Sequence, residues 1–120
     1  MEKQITSRLG FGCMRLPVLE NKEIDIEQFK AMVDYAMENG INYFDTAYIY
    51  PGNEAVLGEI LERNQIRDKI YLATKLPHYL IRNADGLEKL FQEQLKRLRT
   101  DHIDYYLMHM LSDVKTWERM

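Results

Sequence analysis

Residues 41–62 read INYFDTAYIYPGNEAVLGEILE, and the order of features in them decides the fold. Ile41 to Ala47 (INYFDTA) is rich in β-branched and aromatic residues and reads as a strand. Pro51-Gly52 then suits a tight turn. Pro51 also pushes Tyr50 away from the right-handed helical region, toward extended backbone. From Asn53 to Glu62, the residues Val56, Leu57, Ile60 and Leu61 form one apolar stripe, which predicts a helix. Strand, short loop and helix make one βα unit.

The unit recurs on both sides. Upstream, Arg8 to Leu16 (RLGFGCMRL) reads as a strand weakened by its glycines. Asp25 to Asn39 reads as a helix, with Asp25 as N-cap and Gln28 at the capping-box spacing. Ile26, Phe29, Val33 and Ala36 share its apolar face, and Gly40 suits the position just past its end. Downstream, Lys69 to Leu76 (KIYLATKL) is a third strand. Leu87, Leu90, Phe91, Leu95 and Leu98 mark a third helix, whose other face (Lys89, Glu93, Lys96, Arg97) reads as solvated surface. His102 to His109 (HIDYYLMH) is a fourth strand, and Ser112 reads as the cap of a fourth helix. Strands that alternate with helices predict a parallel sheet, because parallel neighbours need crossover connections. A complete five-stranded flavodoxin-like sheet would suit the length, but only four strands are legible.

Composition bounds the partners. The chain has 120 residues, 46% of them apolar and 29% charged, which is globular and not disordered. A net charge of −3 gives no electrostatic case for nucleic acid. The single cysteine, Cys13, excludes an intrachain disulfide and a multi-cysteine metal site, so no metal is expected. It fits a reducing, cytoplasmic setting. Met1 to Gly10 has no signal-peptide pattern, and no run approaches the roughly 20 apolar residues of a membrane helix.

The chemistry sits at the strand ends. Asp45 closes the second strand, Lys75 the third and His109 the fourth, each about one βα unit (roughly 30 residues) after the last. In parallel α/β folds ligands bind at that rim. Strand parity puts Tyr43, Ala73 and Leu107 on the same face. Tyr50 lies in the loop just past Asp45. A phenol, with a reference pKa of about 10, is a poor acid alone. A nearby ammonium favours the phenolate, a carboxylate keeps that ammonium charged and in place, and a histidine can donate to a carbonyl oxygen. Such a set can protonate an alkoxide forming from an aldehyde or ketone. The hydride must come from a cofactor.

Each residue has a plainer reading. Asp45 suits a turn, Lys75 a solvated strand end, and His109 a satisfied core histidine. Tyr50 is one of eight tyrosines. Their joint register at one rim is what argues for chemistry. Cys13 reads as a small buried residue, His78 as a surface-loop histidine, His102 as part of the turn before the fourth strand, and the methionines as core filler. Lys75 alone would also suit a Schiff-base enzyme.

Four motifs resemble the aldo-keto reductases. They are Leu9-Gly10-Phe11-Gly12, Phe44-Asp45-Thr46-Ala47 with Tyr50 and Gly52-Asn53-Glu54, Ala73-Thr74-Lys75, and Asp104-Tyr105-Tyr106-Leu107-Met108-His109. The resemblance implies a (β/α)8 TIM barrel, with residues 1–120 as its N-terminal half and no second domain. It implies reduction of a small-molecule carbonyl substrate with NADPH or NADH. Tyr50 would be the proton donor, Lys75 the group that makes it more acidic, Asp45 the holder of Lys75, and His109 the group orienting the carbonyl. Gly12, Cys13, Met14 and Asp45 would meet the nicotinamide end. Pro51 departs from the commoner pattern, in which Gly directly follows Tyr. The family's Ser-Asn pair, its Gln and its basic phosphate loop come from later strands, outside this sequence. A half-barrel leaves two sheet edges open. This predicts a marginal fragment, a homodimer of halves, or a complex with a C-terminal half-barrel. The isolated chain is expected to be a weak or inactive reductase. The alternative is a non-catalytic half-barrel that folds by association.

Overall fold

A computed structural model describes residues 9–108 of the chain; the candidate His109 and the helix expected at Ser112 lie outside them. The elements are β1 (Phe11–Gly12), α1 (Ile26–Glu38), β2 (Tyr43–Asp45), α2 (Asn53–Asn64), β3 (Tyr71–Leu76), α3 (Ala84–Leu98) and β4 (Tyr105–Met108). Short 3₁₀ turns at Arg67–Lys69 and His78–Leu80 flank β3. The strands form one sheet in the order β1-β2-β3-β4, every pair parallel. Gly12 lies opposite Asp45, Asp45 opposite Ala73, and Lys75 opposite Leu107. This is a run of (β/α) units, an incomplete barrel.

Helix boundaries follow their caps. Asp25 Oδ1 accepts from Gln28 N at 3.1 Å, as its spacing predicts. Gly40 takes φ +86°, the left-handed geometry of a residue past a helix end. Helix α3 starts three residues before Leu87, the first residue of its predicted stripe, because Asn83 caps it, accepting from Gly86 N at 2.8 Å. No helix among the described residues is long and apolar enough to cross a membrane.

Strand alternation divides the sheet into two faces. Phe44 and Leu72 point to the helices and join Phe29, Val33, Leu57, Ile60, Ile70 and Leu98 in the core. Phe11 extends that core by stacking on Phe44. Each fully buried aliphatic or aromatic side chain here contributes about 1.5–3 kcal/mol relative to exposure. The opposite face carries Tyr43, Tyr71 and Tyr105, whose rings pack together. Leu107, on that face, is 44% exposed.

Two helices meet at a glycine. A Cβ on Gly58 of α2 would collide with the backbone of Arg97 and Leu98 of α3. The missing side chain is what lets the helices touch there.

The strands are shorter than the apolar runs that predict them. Beyond Cys13 the chain leaves the sheet for an excursion pinned by an antiparallel bridge between Val18 and Ile24. Lys69 lies in a 3₁₀ turn and not in β3. Before β4, a side chain replaces part of the ladder: Asp104 Oδ2 accepts from Leu72 N at 2.7 Å while Asp104 N donates to Leu72 O at 3.0 Å. Arg67 holds that carboxylate at 3.0 Å and also donates to Thr100 Oγ1 and His102 O. His102 lies in the segment before β4, outside any strand.

Candidate active site

Lys75 stands near the end of β3, on the face away from the helices, and its side chain is 16% exposed. Nζ donates to Asp45 Oδ2 at 2.7 Å, to Thr46 O at 2.9 Å and to the Tyr50 hydroxyl oxygen at 3.4 Å. It also lies 5.1 Å from the centre of the Tyr50 ring. Three of the four predicted catalytic residues are therefore together at the C-terminal rim. The fourth, His109, lies outside the described residues.

The geometry has local causes. Asp45 and Lys75 end adjacent parallel strands on the same face, so their side chains converge. Tyr50 is brought back over them by a turn in which Tyr50 N donates to Ala47 O and Asn53 N to Tyr50 O. Gly52 closes it at φ +74°, in the left-handed region that glycine tolerates.

The loop after β1 meets the cluster from the other side. Cys13 N donates to Asp45 O at 2.7 Å. The Cys13 side chain is fully buried, and burial, then the charge of Asp45, pushes its thiol up to about 12. That suits packing and not nucleophilic chemistry. Gly12 has open space where a side chain would stand, and Met14 is exposed. Asp45 Oδ1 is buried with no hydrogen-bond partner among the described residues. The buried amide of Asn53 donates to Cys13 O and, at 3.0 Å, to Met14 O. One side chain of α2 therefore fixes the loop that the sequence points to as cofactor-binding.

His78, in the 3₁₀ turn after β3, is half-buried, with Nε2 unpartnered among the described residues. It lines a cavity of about 370 Å³ with Leu76, Ile81, Ala84, Leu87 and Met108. That cavity shares no lining residue with the Asp45–Lys75–Tyr50 cluster.

Behind the cluster is a polar layer that the strand-end reasoning misses. Glu54, in the first turn of α2, is 1% exposed. Its carboxylate accepts from Thr74 Oγ1 at 2.7 Å, Gln94 Nε2 at 2.9 Å and Arg97 Nη1 at 3.2 Å. Burial raises its pKa above the ordinary range, although these bonds and the Arg97 charge pull the other way. Tyr106 donates to Gln94 Oε1, and burial raises its phenol too. The solvated face expected for α3 needs correcting here. Lys89, Glu93 and Lys96 are exposed, Glu93 also accepting from the Tyr48 hydroxyl at 3.1 Å, but Arg97 is half-buried and paired to the buried Glu54. A signal existed for Gln94: it falls on the apolar stripe, four residues after Leu90 and four before Leu98.

A parallel run of βα units, here with an acid, an ammonium and a phenol joined at its C-terminal rim, defines an incomplete (β/α) barrel. The chain belongs to the aldo/keto reductase family, whose sequence profile it matches over residues 8–117. It is 34% identical to an uncharacterized oxidoreductase of Bacillus subtilis (strain 168), over 86% of this chain and 35% of that one. It is 34% identical to probable aldo-keto reductase 1 of Glycine max, over 86% of this chain and 32% of the relative. Among solved structures it is similar to an aldo-keto reductase from Klebsiella pneumoniae in complex with NADPH. That likeness has a TM-score of 0.73 and 26% identity, and covers 92% of this chain and 39% of the other. The chain spans about a third of the length of these two curated relatives.

Proposed function

We propose that this chain supplies the proton-transfer part of an NAD(P)H-dependent carbonyl reductase. The observation that carries the reading is Lys75 Nζ held between Asp45 Oδ2 at 2.7 Å and the Tyr50 hydroxyl at 3.4 Å. As an alkoxide develops from an aldehyde or ketone, Tyr50 gives it the phenol proton. The Lys75 ammonium balances the charge left on the phenolate oxygen, and Asp45 holds the ammonium in place. Because Lys75 Nζ is engaged by Asp45 Oδ2 and Thr46 O, it is poorly placed to attack a carbonyl in Schiff-base chemistry.

A nicotinamide cofactor would supply the hydride. The residues present fit its reactive end. Gly12 leaves open space beside the cluster, Met14 is exposed, and Asp45 Oδ1 has an unused acceptor position. Gly12, Met14 and the backbone near Cys13 would hold that end, with Asn53 keeping their loop in place.

The test is NADPH oxidation with a generic aldehyde, by this chain and by the same chain with Tyr50→Phe. The isolated chain is expected to turn over weakly or not at all, since it spans about a third of its curated relatives. Any turnover should fall about 10²–10⁴-fold in the variant. Undiminished turnover in Tyr50→Phe refutes the assignment of Tyr50.

A second reading rests on the inner face, where Tyr105 and Leu107 are 41% and 44% exposed. We propose that this face is covered by another half-barrel, either a second copy or a C-terminal half. Sedimentation of the chain with and without Leu107→Glu tests self-association; an unchanged monomer in both speaks against a second copy.

A further inference from the structure

Helix α3 reaches the proposed site from behind, at Lys75 and at the loop that carries Tyr50. Gln94 is fully buried, and its Nε2 donates to Lys75 O at 3.1 Å. Arg97 serves the loop before Tyr50. Its Nη1 donates to Tyr48 O at 3.2 Å and to Glu54 Oε1 at 3.2 Å, and its Nη2 to Glu93 Oε1 at 3.1 Å. The guanidinium lies 4.2 Å from the centre of the Tyr48 ring, and the Tyr48 hydroxyl donates to Glu93 Oε2 at 3.1 Å. Tyr48 is therefore held at its carbonyl, its ring face and its hydroxyl by one turn of α3. Tyr50 follows two residues later.

The loop has reason to need this. Ile49, Pro51 and Gly52 are exposed, and exposed loops belong to the least stable part of a fold. Yet proton transfer needs the Tyr50 hydroxyl kept beside Lys75. A misplacement of about 1 Å in such a site costs on the order of 10²-fold in rate. The guanidinium suits the task because a planar fork can serve several acceptors and a ring face at once, which the point charge of lysine cannot.

We propose that Arg97 is a positioning residue for Tyr50: bound to Glu54, Glu93 and Tyr48, it fixes the loop so that the phenol stays at Lys75. The catalytic consequence rests on the carbonyl-reductase reading above; the geometric consequence does not.

The experiment therefore reads geometry first. In the full chain, the nuclear Overhauser contact between the Tyr50 ring and the Lys75 ε-methylene is compared among wild type, Arg97→Lys and the double variant Arg97→Met/Glu54→Gln. The double variant removes both charges, so no buried carboxylate is left unpaired. The contact between the Tyr43 and Tyr105 rings, remote from Arg97, reports whether each variant is folded. The expected result is a cross-peak in wild type that is lost in both variants while the Tyr43–Tyr105 contact persists. A Tyr50–Lys75 cross-peak that survives in either folded variant overturns the proposal. Should both variants unfold, Tyr48→Phe decides: it deletes one anchor, and an undiminished cross-peak there also overturns it. Where wild type turns over, kcat should fall about 10²-fold in Arg97→Lys with KM for NADPH unchanged, and an unchanged kcat overturns the catalytic role. Loss of the cross-peak in the variants supports the positioning role even where the wild type reduces no carbonyl, as expected of the isolated chain; turnover that Tyr50→Phe leaves undiminished refutes the reductase reading instead.

Discussion

Replacing Gly58 by Ala sets two effects of opposite sign against each other. In an exposed helix interior, Gly→Ala stabilises by about 1 kcal/mol, because alanine loses less backbone freedom on folding. At Gly58 the new Cβ would meet the Arg97 carbonyl oxygen and the Leu98 backbone. Both obstacles are backbone, so no rotamer change relieves the contact, and α3 must move away from α2. Overpacking of this kind costs about 1–3 kcal/mol, and the backbone contact argues for the upper end. The net expectation is a loss of about 2 kcal/mol once the propensity gain of about 1 kcal/mol is subtracted. Gly86 is the internal control. It lies in the first turn of α3, and its nearest atom to a new Cβ is Asn83 Oδ1 at an ordinary 3.5 Å. Gly86→Ala should therefore cost nothing. Urea unfolding followed by far-ultraviolet circular dichroism measures both, with an unchanged slope showing that stability alone has moved. A Gly58→Ala chain as stable as wild type, or more so, would refute the close approach of α2 and α3.

Two further predictions follow from buried groups. Cys13, fully buried with its thiol pushed up to about 12, should resist a thiol reagent in the native chain and react only on unfolding; rapid native labelling would contradict that burial. Glu54 has its folded pKa raised by burial, so its contribution to stability is fully present below the ordinary 4.5 and declines as pH rises through the higher folded value. Glu54→Gln should remove that decline from a series of urea titrations across pH, whereas an identical pH slope in the variant would show that Glu54 is not its source.

The sequence makes the βα order and half of the site legible for a simple reason. Apolar periodicity switches between two and 3.6 wherever the chain changes from strand to helix. Asp45, Lys75 and Tyr50 are visible because strand parity and a turn motif are local properties. Element ends are less visible, because they depend on what the chain meets in space. Asp104 looks like strand sequence, but its carboxylate takes the hydrogen-bonding place that a strand carbonyl would fill. Glu54 and Arg97 were hidden more deeply. An acidic residue in a first helical turn and a basic one near a helix end both satisfy the helix dipole in water. Only the approach of α2 to α3 at Gly58 turns them toward each other. Gln94 was readable in principle, since its place on the apolar stripe requires a buried amide to find partners.

The carboxylate at the start of β4 also guards against an error. Tyr105 and Leu107 alternate with Tyr106 and Met108, so a slip of one residue against β3 would turn the inner residues toward the helices and pull Tyr106 off Gln94. Short parallel strands discriminate weakly against such slips by backbone pairing alone. With Asp104 bonded to Leu72 N and gripped by Arg67, a slipped strand would leave a carboxylate and a guanidinium without each other, both largely buried. The arrangement acts as a proofreader of register, penalising the misaligned strand electrostatically as well as through packing.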